Sequence, residues 1–141
     1  MTNKKINLIF DFDSTFIQLE TIEILADFAL SNNRDKTKIL NKIKDITSLA
    51  MLGKLSFDKA LSDRISMLNL EQSHIKSTSD FIMQKISKSF NSNIDFFKKN
   101  SNNIYIVSGG FKNIIYSTVK QFHIMKSNIY ANEFLYKNNK I

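Results

Sequence analysis

The sequence predicts an α/β domain built on a parallel sheet, and three observations predict it. Residues 6–10 and 104–107 are short, largely apolar runs of strand length. Each stops at a polar loop, Asp11-Phe12-Asp13-Ser14-Thr15 in one case and Ser108-Gly109-Gly110 in the other. Around them apolar residues recur at helical spacing. In open α/β sheets the carboxyl ends of the strands gather ligands, so two such loops would converge on one crevice.

Residues 6–10 form the first strand and 11–15 the loop that follows it. Residues 20–30 carry apolar side chains at 22, 25, 28 and 29 with Glu23 and Asp27 on the other side, which makes an amphipathic helix. Residues 37–52 repeat the pattern through Ile39, Ile43, Ile46 and Ala50, and Gly53 suits the residue just past a helix end. Ser56 is a good N-cap for a third helix that brings Phe57, Leu61, Ile65 and Leu68 near one face. Phe57 and Arg64, seven apart, nearly eclipse on that helix. Residues 71–87 and 91–99 are weaker helical segments, and the polar turn 100–103 precedes the second strand. Residues 111–122 continue as a helix opened by the Gly-Gly turn, 129–131 make a third short strand, and 134–141 resemble the start of a hairpin.

The 141 residues give room for one domain with a real core. Cys is absent, which excludes disulfides, Cys-type zinc sites and thiol nucleophiles. The only glycines are Gly53, Gly109 and Gly110, so neither a Walker loop nor a dinucleotide fingerprint exists. Proline is missing where average usage of ~5% predicts about seven. Eighteen of the twenty cations behind the net charge of +7 are lysines, and they are scattered. No basic stretch interleaves with aromatics, so the charge points to no nucleic-acid partner. No apolar run approaches the ~20 residues of a membrane span, and the run at 6–10 is too short for a secretory signal. A soluble, cytoplasmic protein is the expectation.

Asp11 and Asp13 are two apart directly after a buried strand, and in extended backbone their side chains point the same way. Two carboxylates at a strand's carboxyl end suit Mg²⁺, which accepts one or two of them beside substrate phosphate and water. An Asp there can also act as nucleophile or proton carrier. Ser108-Gly109-Gly110 supplies a hydroxyl and close backbone N–H groups, an anion cradle. His74 and His123 have no paired acid or His at ligand spacing and read as incidental, and Lys112 reads as a solvated lysine.

Asp11-Phe12-Asp13-Ser14-Thr15, Glu20, Met51-x-Gly53, residues 57–68, Val107-Ser108-Gly109-Gly110-Phe111 and Ala131-Asn132-Glu133, in that order, resemble the phosphoserine phosphatases of the haloacid dehalogenase superfamily. The resemblance implies a Rossmann-like core of residues 1–16 and 87–141 with an inserted small helical cap over 17–86. It implies Asp11 as the nucleophile that becomes an aspartyl phosphate and Asp13 as the general acid and base. Mg²⁺ would be held by the Asp11 carboxylate and the Asp13 backbone carbonyl. The Ser108 hydroxyl and Gly109 N–H would hold phosphate oxygens, Glu20 would face the ammonium of O-phosphoserine, and Arg64 would fork its carboxylate. Arg64 is one of only two arginines, which favours a need for bidentate geometry. Met51 and Phe57 would line the mouth of the pocket.

The same family has a later lysine motif and a G-D-x-x-N-D loop, and no such string occurs in these 141 residues. The expectation is an N-terminal fragment that hydrolyses phosphoserine poorly or not at all alone, with the strand at 6–10 left as an open edge. A split enzyme completed by a second chain and a degenerate relative are the alternatives. Intact site residues favour the fragment. Two function classes follow: a phosphomonoesterase of serine biosynthesis, with phosphatases or a phosphotransferase of other substrate as neighbours, and a non-catalytic module that binds a phospho-ligand or a partner.

Overall fold

The computed structural model describes residues 6–136. Strands β1 (Leu8–Phe10), β2 (Ile104–Phe111) and β3 (Ile129–Asn132) pair in parallel in the order β1-β2-β3. Leu8 lies opposite Ile104, Phe10 opposite Ile106, and Ile106 opposite Ile129. Parallel neighbours need crossover connections. Between β1 and β2 the chain makes α1 (Thr21–Ala29), α2 (Lys36–Met51), α3 (Phe57–Ser66), α4 (Gln72–Ile82), α5 (Lys88–Ser92) and α6 (Ile94–Asn100), and α7 (Lys112–Val119) joins β2 to β3. This is the α/β parallel-sheet class that the sequence predicts.

One face of the sheet is the core. Ile104, Ile106 and Ile129 are buried there against Phe97, Phe122, Ile114 and Ile115. The loop after β1 folds its aromatics into the same layer, because the N–H groups of Phe16 and Ile17 both donate to the Phe12 carbonyl at 2.8 and 3.2 Å. Phe16 then meets Phe90 at a ring separation of 4.1 Å and Phe122 edge-on at 5.1 Å. On the opposite face Ile9, Val107 and Tyr130 are exposed, Ile9 at 68%. Parallel sheets are ordinarily covered on both faces, and the described residues cover one.

The chain departs from the sheet and returns to it at one place. Ile17 and Ile86 form an antiparallel bridge, and Ser87 fastens it through its N–H to Phe16 O at 3.0 Å and its hydroxyl to Thr15 O at 3.1 Å. Within the excursion, α2 ends as its sequence dictates. Gly53 takes φ +68° and donates to Ala50 O at 2.9 Å, while Lys54 donates to Leu49 O at 2.9 Å, which completes a Schellman motif. Ser56 caps α3 by accepting from Lys59 N–H at 3.4 Å.

Three sequence expectations shift. Ser108-Gly109-Gly110 is not a turn opening a helix but the end of β2, with a register irregularity between Val107 and Phe111, and α7 starts only at Lys112. The Asn132 side-chain amide donates to Gly109 O at 2.9 Å and holds that stretch beside β3. The helical pattern of 71–87 is an α-helix only to Ile82 and tightens to a 3-10 turn over Met83–Lys85, because Ile86 is committed to its bridge with Ile17. The segment at 91–99 is two short helices, α5 and α6, divided at Asn93, which takes φ −113° and ψ 23°. The hairpin expected from residue 134 depends on residues 137–141, which lie outside the described residues.

Candidate active site

β1 delivers its carboxylates because Phe12, fully buried, anchors the loop between them. Asp11 stays exposed, with one carboxylate oxygen accepting the Phe12 N–H at 2.7 Å. Asp13 is mostly covered. Its Oδ1 accepts both the N–H of Thr21, at 3.1 Å, and the Thr21 hydroxyl, leaving Oδ2 without a protein donor among the described residues. Burial pushes the Asp13 carboxyl up to about 6, helped by the nearby charges of Glu20 and Asp11 and opposed by the two bonds from Thr21. Ser14 takes φ +55°, a left-handed position, and its hydroxyl donates to Glu20 Oε1 at 2.7 Å. The first residues of α1 thus brace the loop at two adjacent points.

Across from these, β2 presents Ser108 and its glycines. Ser108 Oγ accepts the Gly110 N–H at 3.0 Å, so its own proton is free to donate elsewhere. Gly109 lies beneath the ring of Phe57, where an added Cβ would stand 2.8 and 2.9 Å from two ring carbons.

The third side comes from the helices. Glu20 is the N-cap of α1, Met51 ends α2, and Phe57 opens α3 with its ring about half exposed. Arg64, one helical stripe along from Phe57, is only 8% exposed. Its Nε donates to Ala60 O at 3.0 Å and its Nη1 to Thr47 Oγ1 at 3.1 Å. Burial lowers the Arg64 pKa, while the charges of Glu20 and Asp13 pull the other way.

Asp11, Asp13, Glu20, Met51, Phe57, Arg64, Ser108 and Gly109 all line one cavity of about 380 Å³. Gly110 of the expected anion cradle lines it too, as do Ser14 and Thr47, to which sequence reasoning gave no site role. Thr21 was missed as well, and its only signal is a hydroxyl next to Glu20 at a helix start. His74 and His123 do not line the cavity. His74 accepts the Glu71 N–H at 3.1 Å in a capping box at the start of α4. Lys112, expected to be solvated, instead pairs with Glu133 at 2.6 Å, because α7 begins beside the end of β3.

The oxygens suit a small hard cation in character. The exposed Asp11 carboxylate is a hard donor, Asp13 lines the same cavity, and Mg²⁺ would complete such a set with water and substrate phosphate. Among the described residues no group of three or more His, Cys, Asp or Glu stands together as a metal cage.

No family model matches the chain. The phosphoserine phosphatase of Drosophila melanogaster is 28% identical over 130 residues, 90% of this chain and 44% of that protein. A phosphoserine phosphohydrolase-like protein from Francisella tularensis matches in structure with a TM-score of 0.81 at 28% identity, covering 94% of this chain and 61% of the other. A phosphoserine phosphatase solved as a phospho-aspartyl intermediate analogue gives 0.75 at 29% identity, over 98% and 61%. The chain therefore spans about half of the length of the relatives that it matches. Fold and motif order point to one class: the chain is similar in fold to proteins of the haloacid dehalogenase type. Within that class its similarity is to the phosphoserine phosphatases.

Proposed function

We propose that this chain serves the Mg²⁺-dependent hydrolysis of O-phospho-L-serine to L-serine and phosphate, a step of serine biosynthesis in the cytoplasm. The observation that carries the reading is the composition of one cavity wall to wall. An exposed carboxylate, a carboxyl that titrates near 6, a serine-glycine loop and an acid facing a buried guanidinium line the same space. Residues 1–16 and 87–141 act as the α/β core and 17–86 as a helical cap above the strand ends. No described helix is long and apolar enough to cross a membrane.

In this reading Asp11 attacks phosphorus in line. Its oxygen bonds to phosphorus as the bond to the seryl oxygen breaks, and Asp13 gives that oxygen its proton. A water then attacks phosphorus, Asp13 takes the proton back, and the bond to Asp11 breaks. A carboxyl near 6 is protonated often enough at neutral pH for the first step and ionised often enough for the second. Thr21 occupies Oδ1, so Oδ2 is the oxygen left for this exchange. The Ser108 hydroxyl and Gly109 N–H hold phosphate oxygens, Glu20 takes the ammonium, Arg64 the carboxylate, and Met51 and Phe57 cover the mouth. Mg²⁺, when bound by the Asp11 carboxylate and Asp13 carbonyl, supplies positive charge between two groups that otherwise repel.

A second reading has its own support. Two protein oxygens are a sparse set for the cation, and the Ile9, Val107 and Tyr130 face of the sheet is uncovered among the described residues. These 141 residues alone then bind phosphoserine with little turnover, and further polypeptide, in the same or a second chain, completes catalysis.

Calorimetry of the pure chain with Mg²⁺ is expected to show O-phosphoserine binding more tightly than inorganic phosphate. Mass spectrometry after quenching is expected to find a phosphoryl group on Asp11, absent in Asp11→Asn, with little phosphate released. Equal affinity for the two ligands would sink the substrate assignment. Rapid release would sink the second reading.

A further inference from the structure

We propose that Thr47 is a specificity-determining positioning residue, whose hydroxyl holds the Arg64 guanidinium so that its remaining hydrogens receive the carboxylate of an amino-acid phosphate. This rests on the reading of the cavity as a phosphoserine site, and it concerns how that site tells carboxylate-bearing ligands from others.

Buried cations are ordinarily paired with an acid. Arg64 is 8% exposed, yet it forms no ion pair among the described residues. Its protein partners are neutral oxygens, Ala60 O on its own helix and Thr47 Oγ1 on α2. The Thr47 hydroxyl has one proton, and it is committed to Ile43 O at 3.0 Å. Its oxygen therefore meets Arg64 only as an acceptor, and the guanidinium has no alternative arrangement with it in which donor and acceptor exchange. Nε and one Nη1 hydrogen are occupied, while both Nη2 hydrogens and the second on Nη1 have no protein acceptor among the described residues. Those three belong to the end of the fork, the part that binds a carboxylate in bidentate fashion.

Thr47 and Arg64 lie on neighbouring helices and both line the cavity. An arginine free to rotate loses side-chain entropy when it grips a ligand. One that is tied at Nε and Nη1 has lost most of it already. The bond from α2 to α3 thus pre-organises the fork, and burial without a protein counter-charge leaves a carboxylate of the ligand as the natural partner.

The test compares O-phospho-L-serine with O-phosphoethanolamine, which keeps phosphate and ammonium but has no carboxylate. Calorimetry of the pure chain with Mg²⁺ is expected to show wild type favouring phosphoserine by at least tenfold. Thr47→Val, isosteric without the hydroxyl, should lower phosphoserine affinity about tenfold, leave phosphoethanolamine unchanged, and be rescued by Thr47→Ser. Thermal melting checks that the fold persists, and Thr47→Ala carries the same comparison if the valine variant melts too low. A variant that keeps the wild-type preference, or weakens both ligands equally, overturns the proposal while leaving the site reading intact. A wild type that shows no preference between the two ligands overturns both.

Discussion

The two walls of the cavity are held in different ways. On the sheet side, Asp11, Asp13 and Ser108 hang from β-strand ends and from a loop whose buried residues, Phe12 and Phe16, belong to the aromatic core. On the helix side, Arg64 and Phe57 project from α3, where only Ala60 and Arg64 are buried, and Leu49, Met51 and Leu52 beside them are exposed. The groups assigned to bond making and breaking are thus anchored by the same packing that stabilises the fold. Of those assigned to recognition, Glu20 and Arg64 are held by one or two side-chain hydrogen bonds. Substitution on the first wall is felt as stability, and on the second as ligand preference.

The sharpest way to break that contrast is to empty the core under the loop. Phe16 is fully buried and touches Phe12, Phe90, Phe97 and Phe122. Phe16→Ala should cost about 3–5 kcal/mol by urea denaturation. Leu52→Ala, 68% exposed at the end of α2, should stay within about 0.5 kcal/mol of wild type. Comparable losses for the two would mean that the helices carry as much of the fold as the sheet does.

The same division explains what was legible in the sequence. The strands and the carboxylate loop were readable because short apolar runs ending at Asp11 and Ser108 are local signals. The Gly-Gly pair reads locally as a helix start, whereas its place at the end of β2 depends on the Asn132 amide, which reaches Gly109 O from the next strand. The end of α4 was misplaced for a similar reason, since Ile86 turns away to meet Ile17. Asp11, Asp13, Glu20, Met51, Phe57, Arg64, Ser108 and Gly109 were legible through motif order. Contacts between elements were not: Thr47 bonds Arg64 only because α2 packs on α3, and Lys112 finds Glu133 only because α7 meets the end of β3. Helical periodicity records which face a residue lies on, not which hydroxyl of a neighbouring helix lies opposite.

Asp13 offers a smaller, pH-dependent test of the sheet-side wall. Folded, it keeps its proton up to about pH 6, against an ordinary value of 3.8. Between those values the native state binds more protons than the unfolded chain, so stability falls as pH rises through the window. That difference corresponds to at most ~3 kcal/mol, and partial solvent contact should reduce it to about 1–2 kcal/mol. Asp13→Asn carries no charge to bury, and its Oδ1 can still accept from Thr21. Melts of the metal-free protein in chelator should coincide near pH 4, diverge between pH 4 and 6 and keep a constant separation above that, with the variant more stable. Parallel curves would show that burial of Asp13 is not what raises its pKa.

The smallest expected effect lies where the two walls touch. A methyl group at Gly109 would stand 2.8 Å from the Phe57 ring, yet Gly109 has no left-handed φ, so its backbone imposes no strain on alanine. The ring is 49% exposed and has solvent on one side into which it can swing. Gly109→Ala should therefore cost less than about 1 kcal/mol in stability, while lifting Phe57 from the loop and weakening phosphoserine binding a few-fold. If the contact is the cause, the effects of Gly109→Ala and Phe57→Ala on binding will not add, because the second change removes what the first displaces. Additive losses would place the glycine's importance in its N–H alone and separate the phosphate loop from the helices above it.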